Sequence, residues 1–192
     1  MAKLSNILTD RTSPGLRLLT PTSIAVVSGS GSIGTAGQVT FTGASSVQLN
    51  GLFTTTYDNY RVYIKISSMV GGQDDLVGLQ FGTSGTINTS ATYRRNISEL
   101  GTSNNVSTIN STDNQANLFC ALMNIYGQII LDIGSPFLSE RTWVRGNCDT
   151  SDRGIQILSG FFDGTTSFTD LKFYKDGVTS MTGTVSVYGY KD

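Results

Sequence analysis

The stretch Gly183-Thr184-Val185-Ser186-Val187-Tyr188-Gly189-Tyr190 alternates almost without a break. Val185 and Val187 fall on one face, and Thr184, Ser186, Tyr188 and Tyr190 on the other. A period of two is the pattern of a half-buried β-strand, whose successive side chains point to opposite sides. The same texture spreads outward along the chain. Val39 and Phe41 share a face, as do Val47 and Leu49. In the run Tyr60-Arg61-Val62-Tyr63-Ile64-Lys65-Ile66, Tyr60, Val62, Ile64 and Ile66 are expected inward, with Arg61, Tyr63 and Lys65 outward. Val77, Leu79 and Phe81 predict a further strand, and segments 91–97, 118–123, 125–133, 142–145, 155–162 and 168–174 supply others. Helical spacing of apolar residues is almost absent. Asn50-Gly51, Asp163-Gly164 and Asp176-Gly177 read as tight turns, and the polar stretch 101–116 as a long loop. Short strands, Gly-rich turns and no crossover helices predict an all-β fold. About ten strands are expected, and the expected form is an antiparallel β-sandwich, jelly-roll-like, with eight strands in two facing sheets.

A chain of 192 residues can bury a core without disulfides or metals. Only 14% of it is charged, against roughly a quarter in ordinary globular proteins, and Ser, Thr, Asn and Gly take up the difference. The net charge of −1 leaves no basic footprint, so no nucleic-acid partner is expected. Such a surface repels its own copies weakly, which permits dense self-assembly. Histidine is absent. That removes Ser-His-Asp and Cys-His catalysis, His-ligated zinc and the usual neutral-pH base. Cys120 and Cys148 stand in no metal-ligand spacing, and read as buried thiols or as a disulfide between adjacent strands. No cofactor is expected. The opening residues lack the apolar run and cleavage site of a secretory signal, and no segment is long and apolar enough for a membrane helix, so neither export nor a membrane partner is expected. The Asn-x-Ser/Thr matches at Asn88, Asn96, Asn105 and Asn110 then carry no glycosylation meaning.

Residues 1–37 read as a separate arm and linker, and 38–192 as the sandwich domain. Leu4, Ile7, Leu8, Leu16, Leu18 and Leu19 are apolar, yet Pro14, Gly15 and Pro21 break any useful helix. A segment both apolar and punctuated buries itself poorly. It is either a frayed tail or an arm ordered by docking on a neighbouring subunit, and six large aliphatics favour the arm. Residues 28–37, rich in Ser and Gly, read as linker by composition.

Chemistry is sparse. Paired carboxylates can cleave glycosidic bonds without histidine, but Asp74, Asp75, Glu140, Asp149, Asp152 and Asp163 sit at expected turns, where Asp bonds its own backbone. Asp132 falls inside a strand and Asp170 near the start of one. Asp149-Thr150-Ser151-Asp152 has oxygen ligands suited to calcium but not the spacing of the helical calcium loop, and no bound metal is expected. Gly29, Gly31 and Gly34 match G-x-G-x-x-G, but no helix follows to hold a phosphate. The outward aromatics Tyr63, Tyr188 and Tyr190, and Trp143 beside Arg141 and Arg145, are candidates for sugar stacking or for subunit contact.

Two stretches together carry a family resemblance. One runs from Val39-Thr40-Phe41-Thr42-Gly43-Ala44 into Phe53-Thr54-Thr55-Thr56-Tyr57-Asp58-Asn59-Tyr60, and the other is the closing Gly183–Lys191. The pattern resembles small virion proteins of tailed bacteriophages, notably of marine and cyanobacterial hosts. What the resemblance implies is a non-enzymatic β-sandwich carried on the virion as a homo-oligomer, expected as a trimer. In such a role the chain would be a capsid decoration or cement subunit contacting the major capsid protein through its arm. The alternative is a tail-fibre or tail-tip component that binds host glycan, and an enzyme acting on surface sugars through Asp132 is the third. On the cement reading each buried arm leucine contributes about 1.5–3 kcal/mol, and deleting residues 1–20 is expected to leave a folded sandwich that no longer joins particles.

Overall fold

The computed structural model describes residues 15–71, 76–100, 106–122, 125–151, 154–175 and 180–191, with the backbone alone for 106–115 and 119–122. Within them run β1 (Arg17–Leu19), β2 (Ser23–Val27), β3 (Ser30–Ile33), β4 (Val39–Ala44), β5 (Ser46–Asn50), β6 (Asn59–Val70), β7 (Leu76–Thr83) and β8 (Thr86–Ile87). They are followed by β9 (Tyr93–Leu100), β10 (Val106–Gln115), β11 (Leu118–Leu122), β12 (Gly127–Gly134), β13 (Thr142–Thr150), β14 (Gly154–Phe162), β15 (Asp170–Lys175) and β16 (Ser180–Tyr190). One sheet has ten strands in the order β10-β9-β14-β13-β12-β6-β16-β4-β3, with β1 also beside β16. The other has six, β11-β7-β15-β5-β2, with β8 beside β7. All the described pairings are antiparallel. The fold is an all-β antiparallel sandwich, jelly-roll-like, as the alternation predicts.

The core lies between the sheets because alternation turns one row of each strand inward. From the large sheet come Tyr60, Val62, Ile64 and Ile66 of β6, Ile129, Leu131 and Ile133 of β12, and Val185 and Val187 of β16. From the small sheet come Val47 and Leu49, Val77, Leu79 and Phe81, and Leu171 and Phe173. Rings concentrate at one end, where Phe81 stacks on Phe168 at 5.2 Å and Phe162 meets Phe168 edge-on at 4.9 Å. Aromatic pairs of this kind contribute about 0.5–1.5 kcal/mol beyond their burial.

Two sequence expectations are corrected. Residues 15–37 do not form an arm and linker outside a domain beginning at 38. β1 pairs Leu18 with Tyr188 and Leu19 with Val187, and Leu19 packs against the core. β2 joins the small sheet beside β5, while β3 joins the large sheet beside β4, so these consecutive strands connect the outer edges of the two layers. The glycine between them serves close packing: a Cβ on Gly29 would strike the carbonyl of Thr42 and the backbone of Gly43. The loop expected over 101–116 is also replaced, from Val106 onward, by β10. This strand lies at the end of the large sheet on β9, with register shifts between Thr108 and Asn110 and between Thr112 and Gln115. Backbone pairing makes it a strand, so its polar composition hid it.

Turn chemistry is mixed. Gly51 does take a left-handed conformation, with φ 60°. After Phe162, however, Asp163-Gly164 leads through residues 165–169 across to β15 in the other sheet rather than into a tight hairpin. Asp176-Gly177 lies outside the described residues.

Candidate functional site

The outer face of the large sheet is built in register rows. One row runs Arg94, Phe161, Trp143, Gly134, Asn59, Tyr190 across β9, β14, β13, β12, β6 and β16. The next runs Asn96, Ser159, Arg145, Asp132, Arg61, Tyr188 across the same strands. Gly134 has no side chain at the centre of the first row, so the surface dips between Trp143 on one side and Asn59 with Tyr190 on the other. The result is a groove of about 740 Å³ that also takes in Ser135 and Arg145.

One wall is aromatic and cationic. The Trp143 indole, 52% exposed, and the Phe161 ring lie 5.3 Å apart at 52°. The Arg141 guanidinium sits 4.6 Å from the Phe161 centroid and 5.5 Å from that of Trp143, and Arg94 lies 5.9 Å from Phe161. Asp163 ties the two arginines: Arg141 Nη2 donates to its Oδ1 at 2.6 Å, and Arg94 Nη2 pairs with its Oδ2 at 3.1 Å. The hydrogen bond from Arg141, reinforced by both positive charges, holds the Asp163 carboxyl below the usual carboxylate range. These groups are open to solvent, so the pairs serve position more than stability.

The floor is polar. Both oxygens of Asp132 accept from Arg61, Oδ1 from Nε at 2.8 Å and Oδ2 from Nη2 at 2.9 Å. Arg145 stands directly across from Asp132 on β13 and is exposed. A carboxylate held at both oxygens by a guanidinium is a poor general acid or base, because protonating it would break the pair.

The structure brings Trp143 and Tyr190 to one groove and leaves the other two outward tyrosines beside it. Tyr63, 39% exposed, donates to Gln128 Oε1 at 3.0 Å. Tyr188 faces Arg61 on one side and Leu18 on the other. Leu16 is 49% exposed, whereas Leu18 and Leu19 are half-buried on their own sheet, and Leu4, Ile7 and Leu8 lie outside the described residues. Asp170 is buried as a structural carboxylate, accepting from the backbone of Gly51 and Gly85 and from the Thr169 hydroxyl at 2.9, 2.6 and 2.9 Å. Cys148 is buried in β13; the side chain of Cys120 lies outside the described residues. So does Asp152 of the calcium-like stretch, and among the described residues no three His, Cys, Asp or Glu side chains cluster as metal ligands.

Sequence reasoning missed Phe161, Arg94, Asn59 and Ser159 as groove residues. Phe161-Phe162 carried a signal, since adjacent residues of a strand cannot both face the core. Nothing local marks the others, which meet only through sheet order.

No family model matches the chain, and no curated protein matches it. Among solved structures it is similar to the Emp47p carbohydrate recognition domain, at 9% identity and TM-score 0.36, over 93% of this chain and 98% of that one. It is also similar to the CBM22-1 xylan-binding domain of Paenibacillus barcinonensis Xyn10C, at 6% identity and TM-score 0.27, over 91% and 86% of the two chains. A third is the SPRY domain of human HERC1, at 9% identity and TM-score 0.26, over 81% and 99%. Likeness this distant carries no function from those domains to this chain.

Proposed function

We propose that this chain is a non-enzymatic structural protein of a tailed-bacteriophage virion, a displayed β-sandwich whose outer-face groove binds saccharide on the host surface. The observation that carries the binding half is the groove wall. An exposed indole backed by Phe161 offers a flat apolar face, and Asn59, Asn96, Ser135 and Ser159 offer neutral polar groups beside it. Sugar rings present the same pair of surfaces, an apolar face and a rim of hydroxyls. The virion half rests on the sequence resemblance, whose two segments pack as one unit. Phe53 meets Tyr60 edge-on at 4.7 Å, the Tyr60 hydroxyl accepts from Thr54 N at 2.9 Å, and Gly189 lies against the Tyr57 ring. The non-enzymatic reading is supported by Asp132, a groove carboxylate occupied by Arg61. Saturable binding of host surface polysaccharide by the full chain is expected, lost in Trp143→Ala with unchanged thermal melting. Binding unaltered by that substitution would refute the groove as the site.

A second reading, a capsid decoration or cement subunit on the major capsid protein, is favoured by the way the chain enters the fold. β1 is clamped beside β16, Leu16 just ahead of it is half exposed, and Leu4, Ile7 and Leu8 precede it in sequence. An apolar peptide tethered to a rigid edge can bury itself on another polypeptide without disturbing the sandwich. In either role the virion form is a homo-oligomer, proposed as a trimer.

A further inference from the structure

The charges of the groove do not match those of the chain. The protein carries a net charge of −1, yet the side chains that face the groove set Arg94 and Arg145 against one carboxylate, Asp132. That carboxylate is already engaged at both oxygens by Arg61, which lies just beyond the lining. Asp163, at the aromatic wall, is likewise engaged by Arg141 and Arg94. Two local acids are thus shared among Arg61, Arg94 and Arg141, and Arg145 adds to the positive excess. It is exposed in the middle of the second row, between Ser159 and Asp132, and two residues along β13 from Trp143.

Resting on the saccharide-binding reading, we propose that the groove selects an acidic saccharide, a pyranose that carries a carboxylate. The ring lies on the Trp143 indole, and the carboxylate is received by the Arg145 guanidinium. Neighbouring residues of one face of a strand, i and i+2, stand within the width of a sugar ring of each other. A guanidinium presents paired N–H donors that fit both oxygens of a carboxylate, which an ammonium group does not. Arg94 adds positive potential from the far end of the aromatic wall, where Asp163 fixes its position. Asn96, Ser159 and Asn59 remain for the hydroxyls. A nucleic acid would need a wide basic stripe to follow its phosphates, and the protein as a whole is slightly acidic.

The test is calorimetric titration of the full chain at low salt with oligogalacturonate and with its methyl ester, the same ring without the charge. The acid is expected to bind at least about tenfold more tightly, the scale of one charge-assisted hydrogen-bonded contact. That advantage should shrink as salt is raised. Arg145→Gln should erase the advantage while leaving residual binding of the ester, and Trp143→Ala should abolish binding of both. Lys65→Gln, which removes a charge from the same face away from the groove, should leave the preference intact. Equal affinity for acid and ester, or equal losses in Arg145→Gln and Lys65→Gln, would overturn the selectivity while leaving saccharide binding in place. Binding of neither sugar would remove the saccharide reading and this inference with it.

Discussion

The phenol of Tyr93 sits wholly inside the sandwich, where it accepts from the Phe81 backbone N–H at 2.9 Å and donates to the Asn88 carbonyl at 3.2 Å. Burial pushes its pKa above the ordinary tyrosine range, and Tyr60 is shifted the same way. Tyr93→Phe keeps the ring and strands the Phe81 N–H, so a loss of about 1–3 kcal/mol is expected in denaturant unfolding. The pH dependence has a definite sign. Above pH of about 10 the unfolded chain ionises this phenol while the folded chain does not, so the unfolded state binds fewer protons and stability falls as pH rises. In Tyr93→Phe that alkaline decline should be shallower, with the part due to Tyr60 remaining. At this scale the sequence is partly legible. Tyr93 lies in a stretch that reads as strand, but its inward hydrogen bonds depend on Asn88 and Phe81 arriving from separate segments.

Among the elements, β1 carries the clearest consequence. Three residues add to the flank of β16 beyond the reach of β4, which pairs only from Met181 to Val185. They cover the backbone of Val187–Gly189 and bring Leu19 onto the core. Removal of residues 1–14 leaves β1 in place and sets the reference melting temperature. Removal of residues 1–20 should lower it and promote self-association, because a row of unpaired N–H and C=O groups is exposed next to an apolar edge. Thermal melts and sedimentation of the two truncations separate these outcomes; equal stability would mean that β1 contributes nothing. The alternating strands β6, β12 and β16 were readable because each buries one face and wets the other. β1, β3 and β10 were not, since short or polar strands are made by pairing with a neighbour distant in sequence.

For the whole molecule, the two readings of its role differ in where it stands on the particle. Immunolabelling of intact virions should place a saccharide-binding subunit on the tail in few copies, and a cement subunit over the head in many. Virions assembled with the 15–192 form report on the cement reading: normal incorporation would exclude attachment through residues 1–14. The groove face suits the proposed binding role. It offers a flat ring, fixed arginines and neutral polar groups, but its acids are committed to salt bridges.

The amino-acid order alone determined the class of fold and the inward residues of the long strands, because a period of two is a local property that survives without knowledge of partners. It also determined that histidine chemistry is excluded. Only the tertiary structure decided that residues 15–37 belong to the sandwich, and that Arg94, Phe161, Trp143, Asn59 and Tyr190 share one row. Strand order and register set those meetings, and they depend on pairings between segments as far apart in sequence as Asn59 and Tyr190. Backbone hydrogen bonds are nearly indifferent to side-chain identity, so no local pattern could have announced them.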